Sequence, residues 1–146
     1  MIHDEEIIQA LVATVERFVN ERLRPLEAQV SETDHIPPDV VQDMRAMGLF
    51  GLTIPEEFGG LGLTMEEEVR VMMALGRTSP AFRSVIGTTV GIGSQGIVFD
   101  GTPAQKAQWL PKLATGELIA SFALTEPGSG SDAASLRTTA IRDGDA

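Results

Sequence analysis

Apolar residues recur at intervals of three and four positions from Ile8 to Leu113, and this spacing constrains the fold more than any other feature. It places the apolar side chains on one face of successive α-helices, which must bury that face against one another. In the first helix the series is Ile8, Leu11, Val12, Val15, Phe18, Val19, Leu23 and Leu26. Asp4 is suited to cap its start, and Pro25 should kink or end it. The chain is therefore predicted to be mainly α.

Two further helices begin at capping boxes, in which a threonine is followed three residues later by glutamate or glutamine. One box runs from Thr64 to Glu67 and opens a helix that should reach about Arg77. The other runs from Thr102 to Gln105. The residues predicted to pack inward from the first of these helices are Met65, Val69, Met72, Met73 and Leu75.

Proline marks two more helix starts. One helix follows Pro38 and stops at Gly48, and another follows Pro80 and extends to about Phe99. The second of these is apolar or small nearly all round, which predicts burial between other helices. Residues 49–63 hold too much glycine and proline for a long regular element, and their apolar residues predict an ordered loop.

The pattern changes at Gly116. Residues 118–124 and 136–142 are short apolar runs typical of strands, and a hairpin turn is expected at residues 143–145. Two strands do not make a stable sheet. The chain is therefore interpreted as a fragment, with a helical domain at residues 1–116 and the opening of a β domain at residues 117–146.

Composition removes several classes of function. The net charge is −10, with only two lysines, which argues against a nucleic-acid groove. Cysteine is absent, and His3 and His35 have no ligand spacing, so neither thiolate chemistry nor a metal site is expected. No apolar run is long enough for a membrane span, and the acidic N-terminal residues do not resemble a signal peptide. A cytoplasmic protein is expected.

Two other motifs are interpreted as structural features rather than as functional sites. Residues 91–96 fit the G-x-G-x-x-G dinucleotide pattern, which requires a preceding strand and a following helix. The motif lies within a helical stretch instead, so close helix packing is the favoured interpretation. The acidic run Glu66–Glu68 opens a helix, where negative charge suits the positive end of the macrodipole, and a solvated first turn is expected.

The segment Thr-Glu-Pro-Gly-Ser-Gly-Ser-Asp at residues 125–132 follows directly after the first predicted strand. Its glycines and serines offer free backbone N–H groups and short hydroxyls in a compact loop. Such a loop can bind phosphate or the edge of a flavin without lysine. A flexible loop or a plain β-turn is the alternative, and composition does not separate the two.

The sequence around this loop resembles the first signature of the acyl-CoA dehydrogenase family. The match runs from Ala123 to Asp132 and is followed by Ser135. Other segments agree with the family in order and spacing over essentially the whole chain. They are Gly48-Leu49, residues 54–62, Gly101-Thr102, Gln105-Lys106, Leu110-Pro111, Leu113-Ala114 and Gly116-Glu117.

This resemblance implies an up-and-down N-terminal helical domain, a β-barrel-like middle domain and a C-terminal helical domain, the last expected to lie outside this chain. It implies FAD as cofactor and the α,β-dehydrogenation of an acyl-CoA thioester to the 2-enoyl-CoA, as in β-oxidation. It also implies a homotetramer and electron transfer to an electron-transferring flavoprotein. Two alternatives are an acyl-CoA oxidase or nitroalkane oxidase relative that uses oxygen, and a non-catalytic helical assembly module.

The resemblance also assigns site residues. Phe122, Ala123, Leu124 and Thr125 are expected at the flavin ring, with Leu124 and Thr125 bonding its pyrimidine edge. Gly130 and Ser131 should face the FAD phosphates, and Ser131 should also touch CoA. Ser84, Val85 and Thr88 are expected in the wall of the acyl pocket.

No catalytic residue is expected in this chain. The family uses a glutamate of the C-terminal domain to remove the α-proton, and this base should lie beyond residue 146. Glu126 is expected to fix the shape of the loop rather than to act as that base.

Overall fold

The computed structural model describes residues 4–144, so expectations that involve His3 and Asp145 lie outside the described residues. The described chain is helical, and the mainly α prediction is confirmed. Its α-helices are α1 Glu5–Phe18, α2 Glu27–Thr33, α3 Pro38–Ala46, α4 Met65–Leu75, α5 Pro80–Thr88, α6 Ser94–Asp100 and α7 Pro103–Ala114.

The predicted helix starts are confirmed. The Asp4 carboxylate accepts a hydrogen bond from the Glu6 backbone at 2.8 Å and caps α1. Both capping boxes form, with Thr64 opening α4 and Thr102 opening α7. Pro25 lies where α1 gives way, through a π turn and a 3₁₀ turn, to α2. These elements follow from local side chains that satisfy the free N–H groups of each first turn.

The apolar stripe of α1 packs against α4, and Arg70 of α4 forms a bidentate ion pair with Glu5. The apolar series continues through the π turn at Val19–Leu23, and residues along its whole length contribute to the main core. Fully buried members of this core are Ile8, Val15, Val19, Leu23, Met44, Leu49, Phe50, Leu52, Leu75, Phe82 and Ile86. A smaller cluster lies between α7 and the loop before α4, and it consists of Ile54, Leu110, Leu113 and Ala114.

Residues 49–63 form the ordered loop that the sequence predicts. Leu61 and Leu63 donate backbone hydrogen bonds of 2.8 Å to Gly51 and Leu52, respectively. A Cβ atom at Gly60 would lie 2.0 Å from the Ile54 carbonyl oxygen, so this close backbone approach requires glycine. The loop is therefore part of the packed domain.

The prediction of which α4 side chains face inward is wrong in part. Met65, Val69 and Met73 are exposed by 79%, 48% and 69%, while Leu75 is buried as expected and Met72 is half-buried. The three exposed residues are spaced by four, so they share one face of the helix. Side chains on the opposite side, including Val71 and Ala74, fill the core instead.

The helix predicted from Pro80 to about Phe99 is interrupted, and it is not buried on all sides. A π turn at Thr89–Gly93 separates α5 from α6, with Gly91 at φ −85° and ψ −114°. Ile92 is 59% exposed and Phe99 is 75% exposed. The stretch from Pro80 to Phe99 has small and apolar residues on every face, but it packs against the rest of the described domain on one side only.

The strands predicted at residues 118–124 and 136–142 do not form within residues 4–144. The pairing in this region is a single antiparallel bridge between Glu126 and Ser129. Leu118 and Ala120 face the smaller core while Ile119 is exposed, so the alternation typical of a strand is present. A strand also needs a neighbour that accepts its hydrogen bonds, and no described segment runs beside it.

Candidate functional site

The segment that leads into the predicted site is fixed to the kinked helix. The Ala120 backbone N–H donates to the Thr89 hydroxyl at 3.1 Å, and the Thr89 side chain is completely buried. A Cβ atom at Gly93 would lie 2.5 Å from the Ala120 Cβ. Glycine at this position therefore allows the chain at residue 120 to lie directly on the helix.

The kink itself is supported by polar contacts. Thr53 donates its hydroxyl to the Val90 carbonyl at 2.7 Å, and Gln95 donates to the same Thr53 hydroxyl at 2.8 Å. These bonds satisfy a carbonyl next to the break in the helix at Gly91. These hydrogen bonds stabilise the π turn, and the π turn in turn positions residue 120.

The residues predicted to contact the flavin ring lie together and face outward. Phe122 and Leu124 are exposed by 52% and 42%, and Ala123 and Thr125 are exposed as well. Within the described chain, the backbone groups of Leu124 and Thr125 form no hydrogen bonds. An apolar surface beside unpaired N–H and C=O groups fits a flat ring with a polar edge.

The following turn is closed by its own hydrogen bonds. The Glu126 N–H donates to the Ser129 carbonyl at 2.9 Å, and the Ser129 N–H donates back at 3.1 Å. The Ser129 side chain is buried, and its hydroxyl donates to the Asp132 carbonyl. The loop therefore contains a β-turn with defined geometry, and the turn leaves Gly130 and Ser131 on the outside.

Glu126 holds this turn to the chain that follows. Its carboxylate accepts backbone N–H groups from Arg137 at 2.9 Å and Thr138 at 2.8 Å, together with the Thr138 hydroxyl. The bond from the Thr138 side chain, followed by the two backbone bonds, lowers the pKa of Glu126. The expectation that Glu126 fixes the shape of the loop is confirmed, since its carboxylate is occupied by three donors.

The outer side of the loop is open. A Cβ atom at Gly128 or Gly130 would meet no atom within 4 Å. Ser131 is exposed, and its hydroxyl and backbone form no hydrogen bond to another described residue. Backbone N–H groups and a free hydroxyl on an open ledge can bind phosphate oxygens without a lysine.

A groove of about 340 Å³ runs along α5 and the π turn. Ser84 and Thr88, two of the predicted acyl-pocket residues, line it. Val85 is not among its lining residues, because it packs against the main core. The groove is completed by Arg83, Gly87, Gly91 and Ile92, which sequence reasoning missed. Gly87, Gly91 and Ile92 each lie three or four residues from Ser84 or Thr88, and Arg83 lies four residues before Gly87, so helical spacing was the available signal.

The glycine motif at residues 91–96 lies in the π turn and α6, without a preceding strand in the described chain. Gly93 is the residue of the motif that packs closely, and it does so against Ala120, which confirms the packing interpretation at that residue. Gly91 and Gly96 have open space where a Cβ atom would be. The expectation of a solvated first turn at Glu66–Glu68 is wrong in part, because Glu66 is exposed whereas Glu67 is buried in the capping box and Glu68 is half-buried.

Two kinds of feature are absent from residues 4–144. No group of three His, Cys, Asp or Glu side chains is arranged to hold a metal ion. None of the helices combines the length and apolar content needed to cross a bilayer.

Comparison with known proteins places this geometry in context. Residues 5–117 match the family model described as acyl-CoA dehydrogenase, N-terminal domain. The chain is 45% identical to (2S)-methylsuccinyl-CoA dehydrogenase of Cereibacter sphaeroides over 143 residues, which cover 97% of this chain and 26% of that protein.

Two solved structures are also similar. An acyl-CoA dehydrogenase complexed with FAD, from Bacillus anthracis, is 36% identical with a TM-score of 0.76, over 91% of this chain and 23% of that one. A chain in a structure described as the electron transferring flavoprotein of Acidaminococcus fermentans is 26% identical with a TM-score of 0.86, over 99% and 38%. The chain thus spans between about a quarter and two fifths of the length of these relatives.

Proposed function

The chain belongs to the acyl-CoA dehydrogenase family, and we propose that it supplies the helical domain and the flavin-contacting segment of an enzyme that dehydrogenates acyl-CoA thioesters. The observation that carries this proposal is the outward-facing segment at residues 122–131. It combines exposed apolar side chains, unpaired backbone groups and a hydrogen-bonded turn. In this proposal residues 1–116 form the helical domain, and residues 117–146 begin the β domain.

FAD is the cofactor that this segment would hold. Phe122, Ala123 and Leu124 would lie against the ring, and the free backbone groups of Leu124 and Thr125, together with the Thr125 hydroxyl, would bond its pyrimidine edge. Gly130 and Ser131 would face the phosphates, where the structure leaves open space. Bound there, FAD supplies the two-electron acceptor that formation of an α,β double bond requires. The FAD named in the Bacillus anthracis structure supports this proposal.

The substrate would bind between this segment and the groove along α5. Ser84 and Thr88 line that groove, and Ser131 would touch CoA from the loop. Val85 supports the groove wall from the core side, where it is half-buried. These residues orient the thioester and exclude water, which favours proton removal from the carbon next to the carbonyl.

Removal of that proton needs a base, and the described residues of the site do not supply one. Glu126 is the nearest carboxylate along the chain to the flavin segment, and three donors hold it in a structural role. A glutamate in a further helical domain, of the kind the family resemblance implies, is the proposed base. The chain then binds and orients both FAD and substrate.

An electron-transferring flavoprotein is the proposed electron acceptor, as the family resemblance implies. A homotetramer, a role in fatty acid β-oxidation and a cytoplasmic location are the remaining parts of the proposal. They rest on the family resemblance.

The proposed reaction is tested by adding short, medium, branched and ω-carboxylated acyl-CoA thioesters to the FAD-loaded full-length protein without oxygen. We expect at least one thioester to abolish the visible absorption of the oxidised flavin. No loss with any thioester would overturn the proposal. Rapid oxygen consumption without an acceptor protein would identify an oxidase, and a full-length protein that does not retain FAD would identify an assembly module.

A further inference from the structure

Arg83 lies along the groove of α5 with its guanidinium beside Gly87. A Cβ atom at Gly87 would lie 3.5 Å from both Cζ and one terminal nitrogen of Arg83, so the side chain extends over this glycine toward the groove. Arg83 is exposed. Among residues 4–144 it forms no hydrogen bond and no ion pair within 4 Å.

Several other arginines have partners that explain them structurally. Arg22 pairs with Asp39 and Asp43, Arg70 with Glu5 and Arg77 with Glu16, while Arg45 donates to the Gly116 carbonyl. With 11 basic and 21 acidic residues in the chain, carboxylates are abundant. An arginine that has no such partner and lines a groove is therefore available to a ligand.

The position of Arg83 is also unfavourable for the helix. It lies in the first turns of α5, three residues after Pro80, where the positive end of the macrodipole disfavours a cation. Helix stability therefore does not account for a positive charge here.

Glu68 is a carboxylate on which the charge of Arg83 acts. Burial raises the pKa of Glu68, and the charge of Arg83 opposes that rise. The ion pairs formed among residues 4–144 do not include one between Glu68 and Arg83. A ligand carboxylate would therefore gain Arg83 without breaking an existing ion pair.

The groove has the right shape for a chain that ends at this arginine. Gly91 leaves open space between Ile92 and the Arg83 guanidinium, which lies over Gly87. Gly87 and Ile92 are five positions apart, or about 7.5 Å along an ideal helix. Ser84 and Thr88 contribute the small polar side chains of its wall.

We propose that Arg83 binds the distal carboxylate of an ω-carboxyacyl-CoA, so that the substrates are thioesters of dicarboxylic acids. This inference rests on the proposed function and specifies its substrate class. The planar guanidinium can donate two parallel hydrogen bonds to one carboxylate, which fixes both the position and the orientation of the acyl chain. Arg83 is thus a specificity-determining residue, and the dehydrogenation itself occurs at the other end of the chain.

Binding is measured first, with CoA thioethers. A thioether lacks the carbonyl that makes the α-proton acidic, so it binds without being dehydrogenated. S-(4-carboxybutyl)-CoA and S-pentyl-CoA have the same number of chain carbons and differ in the terminal carboxylate. Calorimetry on the FAD-loaded full-length enzyme should give the lower Kd for the carboxylated ligand. In Arg83→Met, the ratio of the two Kd values should shift toward the neutral ligand by about 10- to 100-fold.

Two further variants make the result decisive. Arg77→Met removes an exposed arginine that pairs with Glu16 outside the groove, and it should leave the ratio within about twofold of wild type. Arg83→Lys keeps the charge but loses the bidentate geometry, so its ratio should lie between those of wild type and Arg83→Met. Flavin content measures the folding of each variant.

Three outcomes would overturn the role of Arg83. They are a wild-type enzyme without preference for the carboxylated ligand, an unchanged ratio in Arg83→Met, and an equal shift in Arg77→Met. If the wild-type enzyme still binds both thioethers and its flavin is reduced by neutral thioesters, the proposed function stands and this inference alone fails. If neither thioether binds and no thioester reduces the flavin, the proposed function fails with it.

Discussion

The backbone N–H of Ala120 donates to the buried hydroxyl of Thr89 at 3.1 Å and joins the segment proposed to contact the flavin to the kinked helix. The same π turn also supplies Gly91 and Ile92 to the groove proposed for the acyl chain. One local break in a helix therefore positions both parts of the candidate site.

Replacing Thr89 by valine preserves the shape of the side chain and removes the acceptor for Ala120. We expect a loss of about 1–3 kcal/mol in the free energy of unfolding, because a part-buried N–H is left without a partner. Thermal melting of the purified protein checks this. Thr14→Val on the exposed side of α1 is the matched control and should stay within about 0.5 kcal/mol of wild type. Equal effects of the two variants would contradict the importance of the bond.

Alanine should have opposite effects at Gly93 and Gly96. At Gly93 the new methyl group would lie 2.5 Å from the Ala120 Cβ and 2.7 Å from the Thr88 carbonyl oxygen, so a loss of about 1–3 kcal/mol is expected. At Gly96 it would meet nothing within 4 Å, and the higher helix propensity of alanine should add about 0.5–1 kcal/mol. Urea titration of both variants gives the comparison. Destabilisation at Gly96 as large as at Gly93 would disprove the described packing.

Stability should fall in acid through the ion pair between Glu5 and Arg70. Hydrogen bonds from Arg70, then from Gln9, lower the pKa of Glu5 to about 2. Because the unfolded chain has a glutamate pKa of about 4.3, this contribution is complete above that pH and is lost as the pH falls toward 2. Melting temperatures of wild type and Glu5→Gln should converge over this range. Glu6→Gln is the control, and a gap that persists at pH 2 would argue against the ion pair.

Removing the hydroxyl of Ser131 should weaken ligand binding without affecting the fold, since this side chain is exposed and makes no hydrogen bond within the described chain. We expect Ser131→Ala, and separately Thr125→Val, to cost about 1–3 kcal/mol of FAD or acyl-CoA binding per lost hydrogen bond. Fluorescence titration with FAD and with CoA ligands measures this. Ser31→Ala on α2 serves as the control, and unchanged affinities in the first two variants would contradict their assignment.

Features set by neighbouring residues could be predicted from the sequence, whereas features set by distant packing could not. The caps at Thr64 and Thr102 depend on side chains three residues apart, and both were predicted correctly. The exposure of Met65 and Met73 depends on which face of α4 meets α1, and amino-acid type alone does not specify that. The π turn at residues 89–93 depends on Thr53, which is more than 30 positions away.

The candidate site divides in the same way. The sequence motif was sufficient to predict a compact turn within residues 122–131 and a structural role for Glu126, because the turn is built from its own residues. The sequence did not identify Arg83 as a candidate ligand-binding residue. Its availability depends on Gly87, one turn later, and on the absence of an ion-pair partner among the described residues. Val85 was predicted in the wall of the acyl pocket from its position in the chain, and its half-buried packing against the main core could not be predicted from that position.

The most direct test of the central claim, that residues 122–131 hold the flavin, is hydrogen–deuterium exchange of the full-length protein with and without FAD. Backbone amides of residues 124–131 should exchange more slowly when FAD is bound, since free N–H groups there would gain partners. The exposed face of α4, around Met73, should be unaffected. Protection elsewhere with unchanged exchange at residues 124–131 would contradict the account.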